Sequence, residues 1–302
     1  MGRSVRWALV LSGGGAKGYM HIGVIKALEA WGYPKPSLIV GTSMGAIVGG
    51  LYACGYSVQE LEEIAVHQFD IRRHLDSSRF HLSGPVGRLV ETGQMISRFA
   101  NNPGIDSGNK ILEYLESLTK NKAIENLPIP FRCNAVDLIS GKEVVISKGP
   151  LARGMRASMA FPAFFDPLIE GEHHLVDGGL VNNLPVYIAK DLGFSRILAV
   201  DVGAFMLATS SHLKTGPQVV YRALEVAISH IQRGDADRAT LTLHPEDPAT
   251  PFDFARAKHL ISVGEAHAQA NRQAIEYLFG SGLIAHVKRR RGLQVIRANA
   301  AT

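Results

Sequence analysis

The sequence predicts an α/β fold, a three-layer α/β/α sandwich around a mainly parallel sheet, with a helical C-terminal extension. Two observations carry this expectation. Short apolar runs such as Trp7–Leu11, Leu38–Val40 and Ile197–Val202 alternate with amphipathic stretches of helical period, the pattern of strands buried on both faces between layers of helix. From Gly216 onward the period is almost entirely helical.

Each element follows from local chemistry. Trp7–Leu11 reads as a buried strand, Ser12 to Gly18 as a glycine-rich turn, and Tyr19–Trp31 as a helix with Ile22, Ile25, Leu28 and Trp31 at helical spacing, stopped by Gly32. The strand Leu38–Val40 leads into a helix after Ser43 that ends near Gly55. Ser57-Val58-Gln59-Glu60 is a capping box, with Leu61, Ile64 and Ala65 on the apolar side of the helix it opens. Asp70 to Gly108 is polar, broken by Gly and Pro, and weakly periodic; it reads as an insertion covering a site. Ile111–Leu118 is helical. Phe131–Leu138 and Glu143–Ser147 form a hairpin about Ser140-Gly141-Lys142. Leu151–Met159 is a short helix ahead of Pro162, and Leu168–Ile169 with His174–Val176 form a second hairpin about Gly171. Val186–Leu192 is helical. Val219–Ile231 and Phe254–Leu278 are long helices around a strand at Thr240–Leu243.

Composition sets bounds. The 302 residues are 46% hydrophobic and carry a formal net charge of +5, too mild to indicate a nucleic-acid partner. The length suits a domain over 7–202 followed by a mainly helical extension over 203–302 with a basic tail from about 286. Lys288-Arg289-Arg290-Arg291 in that tail reads as a solvated end or as an attraction to anionic lipid headgroups, hence a reversible membrane-surface contact. Cys54 and Cys133 make neither a disulfide framework nor a metal cluster. The apolar run after Arg3 and Arg6 is too short for a signal-peptide core, no stretch can span a bilayer, and Arg6 stands where a Met-Gly myristoylation signal wants Ser or Thr. A cytoplasmic, peripherally membrane-associated protein is expected, with no metal and no cofactor.

Gly41-Thr42-Ser43-Met44-Gly45 lies between an apolar strand and an apolar helix, the context in which a G-x-S-x-G serine becomes a nucleophile. Glycines two residues either side relieve crowding, and the helix that follows aims its N-terminal N–H groups at negative charge. Ser12-Gly13-Gly14-Gly15-Ala16-Lys17-Gly18 joins the first strand to the first helix. Gly13, Gly15 and Gly18 fit G-x-G-x-x-G, but the acidic residue that should end the second strand is replaced by Val40-Gly41-Thr42-Ser43, which weighs against a dinucleotide. Three successive glycines equally suit an oxyanion hole of backbone N–H groups, with Lys17 either solvated or strengthening the anion site. A serine needs a base. None of the 12 histidines stands in a telling motif; His21, His173, His174, His230, His244, His259 and His267 leave a Ser–His–Asp triad open. Asp177-Gly178-Gly179 delivers an aspartate from an apolar segment onto two glycines and is the other candidate base.

Together, Gly13-Gly14-Gly15-Ala16-Lys17-Gly18, Gly41-Thr42-Ser43-Met44-Gly45 and Asp177-Gly178-Gly179 resemble the patatin-like phospholipase family. A weaker fourth match is Ala157-Ser158-Met159-Ala160-Phe161-Pro162, similar to that family's A-S-x-x-x-P segment. The resemblance covers about Trp7 to Val202 and looks nearer the compact bacterial, neuropathy-target-esterase-like members than the plant storage proteins. It implies a Ser–Asp dyad of Ser43 and Asp177, an oxyanion hole at Gly13, Gly14 and Gly15, and structural support from Lys17, Gly18, Gly41, Gly45, Gly178 and Gly179. It further implies a lipid or acyl-ester substrate, phospholipid or lysophospholipid first. A lipid-binding or regulatory protein on the same fold is the alternative outside catalysis.

Overall fold

The computed structural model describes residues 5–69, 74, 103–203, 216–231 and 238–280. Most of the Asp70–Gly108 insertion, expected as a cover, and the basic tail from about 286 lie outside the described residues.

In chain order the elements are β1 (Ala8–Leu11), α1 (Tyr19–Ala30), β2 (Leu38–Gly41), α2 (Met44–Cys54), α3 (Val58–Glu63), β3 (Gly104–Asp106), α4 (Asn109–Thr119), β4 (Phe131–Asp137), β5 (Lys142–Ile146) and α5 (Leu151–Ser158). There follow β6 (Ala163–Phe165), β7 (Leu168–Glu170), β8 (His173–Asp177), α6 (Val186–Asp191), β9 (Ile197–Val200), α7 (Gly216–Ile231), β10 (Leu241–Leu243), α8 (Ala257–Ala270) and α9 (Arg272–Phe279). The capping box forms: Ser57 Oγ accepts the Glu60 N–H at 3.2 Å while Glu60 Oε2 accepts the Ser57 N–H at 2.8 Å. α3 then runs into a π-helical turn, Ile64–Gln68.

The main sheet has the order β10-β9-β1-β2-β4-β8-β7, with β5 also paired to β4. From β10 to β4 all pairings are parallel, and β5, β8 and β7 extend the sheet antiparallel. The period-two alternation of the parallel strands divides the interior in two. Leu9 and Leu11 of β1, Ile39 of β2 and Leu198 and Val200 of β9 share one core with α1, α2 and α8. Ala8, Val10, Leu38, Val40, Ile197 and Ala199 turn to the opposite face, against Val186, Ile188 and Ala189 of α6. This is the sandwich that the alternating pattern predicts.

One expected helix is divided, and two features of the sheets are added. The helix expected over Phe254–Leu278 is broken at Asn271, whose side-chain Nδ2 donates to the His267 carbonyl at 2.9 Å. A small parallel sheet of β3 and β6 stands apart from the main one; its three-residue strands are too short to show a period. β10 joins the main sheet beside β9, so the region after 203 contributes to the central layer.

One feature of the register places the site. β4 pairs β2 over Phe131–Cys133 and β8 over Ala135–Asp137, while β5 runs along both stretches. A strand has two edges, so β2 and β8 share one edge of β4 and approach each other tip to tip. Gly41 at the end of β2 lies opposite Cys133, and Asp177 at the end of β8 lies opposite Ala135, with only Asn134 between.

Candidate active site

Ser43 follows directly from the tip of β2 and precedes the first turn of α2. Its backbone is held at φ 53°, ψ −122°, a sparsely populated conformation for a side-chain-bearing residue. Ser158 Oγ, at the end of α5, accepts the Ser43 N–H at 2.9 Å and helps to hold that conformation. The flanking glycines are needed for contact: a Cβ on Gly45 would stand 2.5 Å from the Ser12 carbonyl oxygen, and one on Gly41 would run into the Gly45 carbonyl. The elbow can pack against β1 only without those side chains.

Asp177 is only 3% exposed. Its carboxylate accepts the Gly179 N–H at 2.8 Å and lies on the wall of the same cavity as Ser43. Burial lifts its pKa from the ordinary 3.8 to about 6, the Gly179 hydrogen bond and the nearby Ser43 hydroxyl offsetting part of the rise. Its own N–H donates to the Ala160 carbonyl at 3.0 Å, so the Ala157–Pro162 segment braces both Ser43 and Asp177.

Gly13, Gly14 and Gly15 line the same cavity as Ser43 and Asp177. Gly13 departs from its expected part as a donor. Its N–H is already taken, by Asn183 Oδ1 at 3.0 Å and the Asn183 carbonyl at 3.3 Å, while Asn183 Nδ2 donates back to the Gly13 carbonyl at 3.2 Å. Among the described residues no hydrogen bond takes the N–H of Gly14 or Gly15. Lys17 is on the cavity wall; burial lowers its pKa, opposed by Glu225, Asp247 and Glu246. Gly18 abuts Met44, and Gly178 abuts Asn134.

Asn134 and Asn183 did not stand out in the sequence, and each ties two parts of the site together. Asn134 Oδ1 accepts from Thr42 Oγ1 at 2.7 Å, and Asn134 Nδ2 donates to Glu143 Oε1 and to the Asn182 carbonyl, both at 2.8 Å. It therefore links the serine turn to the segment after Asp177. The sequence signal was the pair Asn182-Asn183 four residues beyond Gly178-Gly179.

The cavity is about 270 Å³. Its walls are mostly apolar, with Phe161, Phe164 and Phe165 on one side and Phe252 and Phe254 on another. Phe164 and Phe252 stack with ring centroids 4.8 Å apart. Among the described side chains no histidine lines it. His21 is buried beneath the glycine turn with Nε2 2.9 Å from the Ser12 carbonyl, and burial lowers its pKa to about 4. His173 and His259 instead pair with Asp137 and Asp247.

One cavity thus brings together a strained serine, a buried carboxylate and backbone amides within apolar walls, the parts that acyl transfer through a covalent serine intermediate requires. A family model described as patatin-like phospholipase matches residues 9–190, and the chain belongs to that family. An NTE family protein of Mycobacterium tuberculosis is 38% identical over 204 residues, 66% of this chain and 49% of that protein. Patatin-like phospholipase domain-containing protein 6 of Homo sapiens is 36% identical over 199 residues, 65% of this chain and 13% of that protein. Lysophospholipase NTE1 of Mycosarcoma maydis is 34% identical over 201 residues, 65% of this chain and 10% of that protein. The chain thus spans half or less of the length of these relatives. In fold it is similar to VipD of Legionella pneumophila, with a TM-score of 0.52 at 16% identity, covering 89% of this chain and 66% of VipD.

Proposed function

We propose that this protein hydrolyses carboxylic ester bonds of phospholipids or lysophospholipids through a Ser43–Asp177 dyad. The observation that carries the reading is a strained serine and a buried carboxylate, its pKa lifted to about 6, on the wall of one apolar cavity. At neutral pH that carboxylate is ionised, yet it is a stronger base than an exposed aspartate.

The acyl carbonyl sits against Ser43 with its oxygen at the Gly14 and Gly15 amides and the N-terminus of α2, while Asn183 restrains Gly13 beside them. As Ser43 Oγ attacks, its proton passes to Asp177, and the tetrahedral oxyanion is held by the amides. Collapse expels the alcohol, which takes the proton from Asp177 and leaves the acyl group on Ser43. A water then gives its proton to Asp177 and attacks the acyl carbonyl, and the acid leaves as Ser43 recovers a proton. The aromatic walls fit a hydrocarbon chain, and similarity to the fungal lysophospholipase supports a lipid substrate.

The enzyme works at a lipid surface. No helix among the described residues is long and apolar enough to cross a membrane. α7 lines the cavity through Glu225, Ile228 and Ser229, yet Val219 and Val226 are 48% and 39% exposed, and Phe252 on the cavity wall is 49% exposed. Exposed apolar residues beside a lipid-shaped cavity suit contact with a bilayer.

A fluorophosphonate probe tests the chemistry. The wild-type protein is labelled and Ser43→Ala is not, and incubation with a total lipid extract releases fatty acid only with the wild type. A folded wild-type protein that neither labels nor turns over any ester sinks the reading.

A further inference from the structure

Behind the cavity lies a second, smaller one of about 40 Å³. The two share three wall residues, Met44, Ile47 and Phe69. The smaller one is lined by α2 through Val48 and Leu51, by α3 and its π-helical turn through Leu61, Ile64 and Ala65, and by α4 through Leu115 and Leu118. Tyr19 and Tyr114 add their rings; their hydroxyls are buried and make no hydrogen bond. Apart from those two hydroxyls its walls are hydrocarbon, and such a cavity accepts apolar groups.

Its position gives it a direction. Ser43 caps α2, Met44 and Ile47 lie in the first turn, and Val48 and Leu51 lie one turn further on. From Ser43 to Leu51 the helix advances ~12 Å. A straight acyl chain that starts at a carbonyl on Ser43 and follows α2 past Met44 and Ile47 enters the smaller cavity at its far end. Headgroup and alcohol are left on the side of Lys17 and α7.

We infer that the smaller cavity holds the methyl end of a long, unbranched fatty acyl chain, and that Ala65 and Leu118 set the chain length the enzyme prefers. The inference rests on the ester-hydrolase reading above and goes beyond it. Phe69, Ile47 and Met44 form the neck between the two chambers, and short acyl groups end before reaching it.

The test is a series of p-nitrophenyl esters from butyrate to palmitate, measured as kcat/KM. Ala65→Leu fills the chamber and lowers the palmitate-to-butyrate ratio about tenfold, the discrimination that one or two methylenes confer in an apolar pocket. Leu118→Ala enlarges it and moves the optimum to a longer chain. Opposite shifts from the two variants support the assignment, and Leu118→Ala alone still tests it if Ala65→Leu does not fold. Ser43-dependent hydrolysis with one common chain-length profile in all variants would overturn it, leaving the hydrolase reading intact. Absence of any Ser43-dependent hydrolysis would instead strike at the hydrolase reading.

Discussion

Asp177 is held in a state that suits proton transfer and opposes stability. Its pKa is higher in the folded chain, about 6, than the ordinary 3.8, so between those values the native state binds more protons than the unfolded one. Stability therefore falls as pH rises from about 3.8 to about 6, by on the order of 3 kcal/mol, and stays reduced above. Asp177→Asn removes that cost. It should abolish ester hydrolysis yet unfold at higher urea than the wild type at pH 7–8, with the difference shrinking towards pH 4. Urea titrations across pH check this, and equal midpoints at every pH would mean that Asp177 is not strained by burial. The same protonation predicts that kcat/KM rises with pH through about 6 and then levels. Asn183 provides a second residue-scale expectation. It binds Gly13 at both N–H and carbonyl, so Asn183→Ala should lower kcat roughly 10- to 100-fold in a folded protein, as loss of a hydrogen-bonded clasp beside the proposed oxyanion hole implies. Turnover near that of the wild type would remove Asn183 from the machinery. The contrast between these two residues explains what was legible. The proposed pair Ser43 and Asp177 stands out in the sequence because a tight turn needs adjacent glycines, which compresses such chemistry into contiguous motifs. Asn134 and Asn183 act on partners 92 and 170 residues away, and only strand register reveals such contacts.

Among the elements, those with a strong local period were readable: β1, α1, β2, α2 and the capped α3 lie within a residue or two of the expected bounds. The break between α8 and α9 was not, because the apolar period continues through Asn271 and the interruption is a single side chain turning back on the helix. α7 is the element whose sequence and surroundings disagree most. Its apolar residues Val219 and Val226 face solvent although the helix also borders the cavity. If that face meets a lipid surface, Val219→Glu together with Val226→Glu lowers the initial rate on phosphatidylcholine vesicles severalfold and leaves p-nitrophenyl butyrate hydrolysis unaltered. Equal vesicle rates for variant and parent would show that α7 is not the contact.

At the scale of the whole molecule, the site depends on chain from both sides of residue 203. β2 and β8 bring Ser43 and Asp177 together from the first part. Part of the wall comes from α7 and from the loop that carries Pro251, Phe252 and Phe254. Asp247 anchors that loop by accepting the Ala249 N–H at 2.8 Å and by pairing with Arg256 at 3.0 Å and His259 at 2.8 Å. The Pro251 carbonyl accepts the Ala16 N–H at 2.8 Å, which ties the loop to the glycine turn itself. Beneath it Leu260, Ile261, Ala268, Ile275 and Leu278 are buried in the same core as Leu9 and Leu11. Burial of a large apolar side chain stabilises by about 1.5–3 kcal/mol, so these residues together contribute on the order of 10 kcal/mol, comparable with the whole stability of an ordinary domain. A chain cut after residue 203 should therefore lack a cooperative unfolding transition and any ester hydrolysis, although it retains every motif by which the family is recognised. Circular dichroism during a urea titration, with ester turnover alongside, decides the matter. A 1–203 fragment that unfolds cooperatively and turns over ester would show that the C-terminal region is an appendage and that the cavity wall it supplies is dispensable.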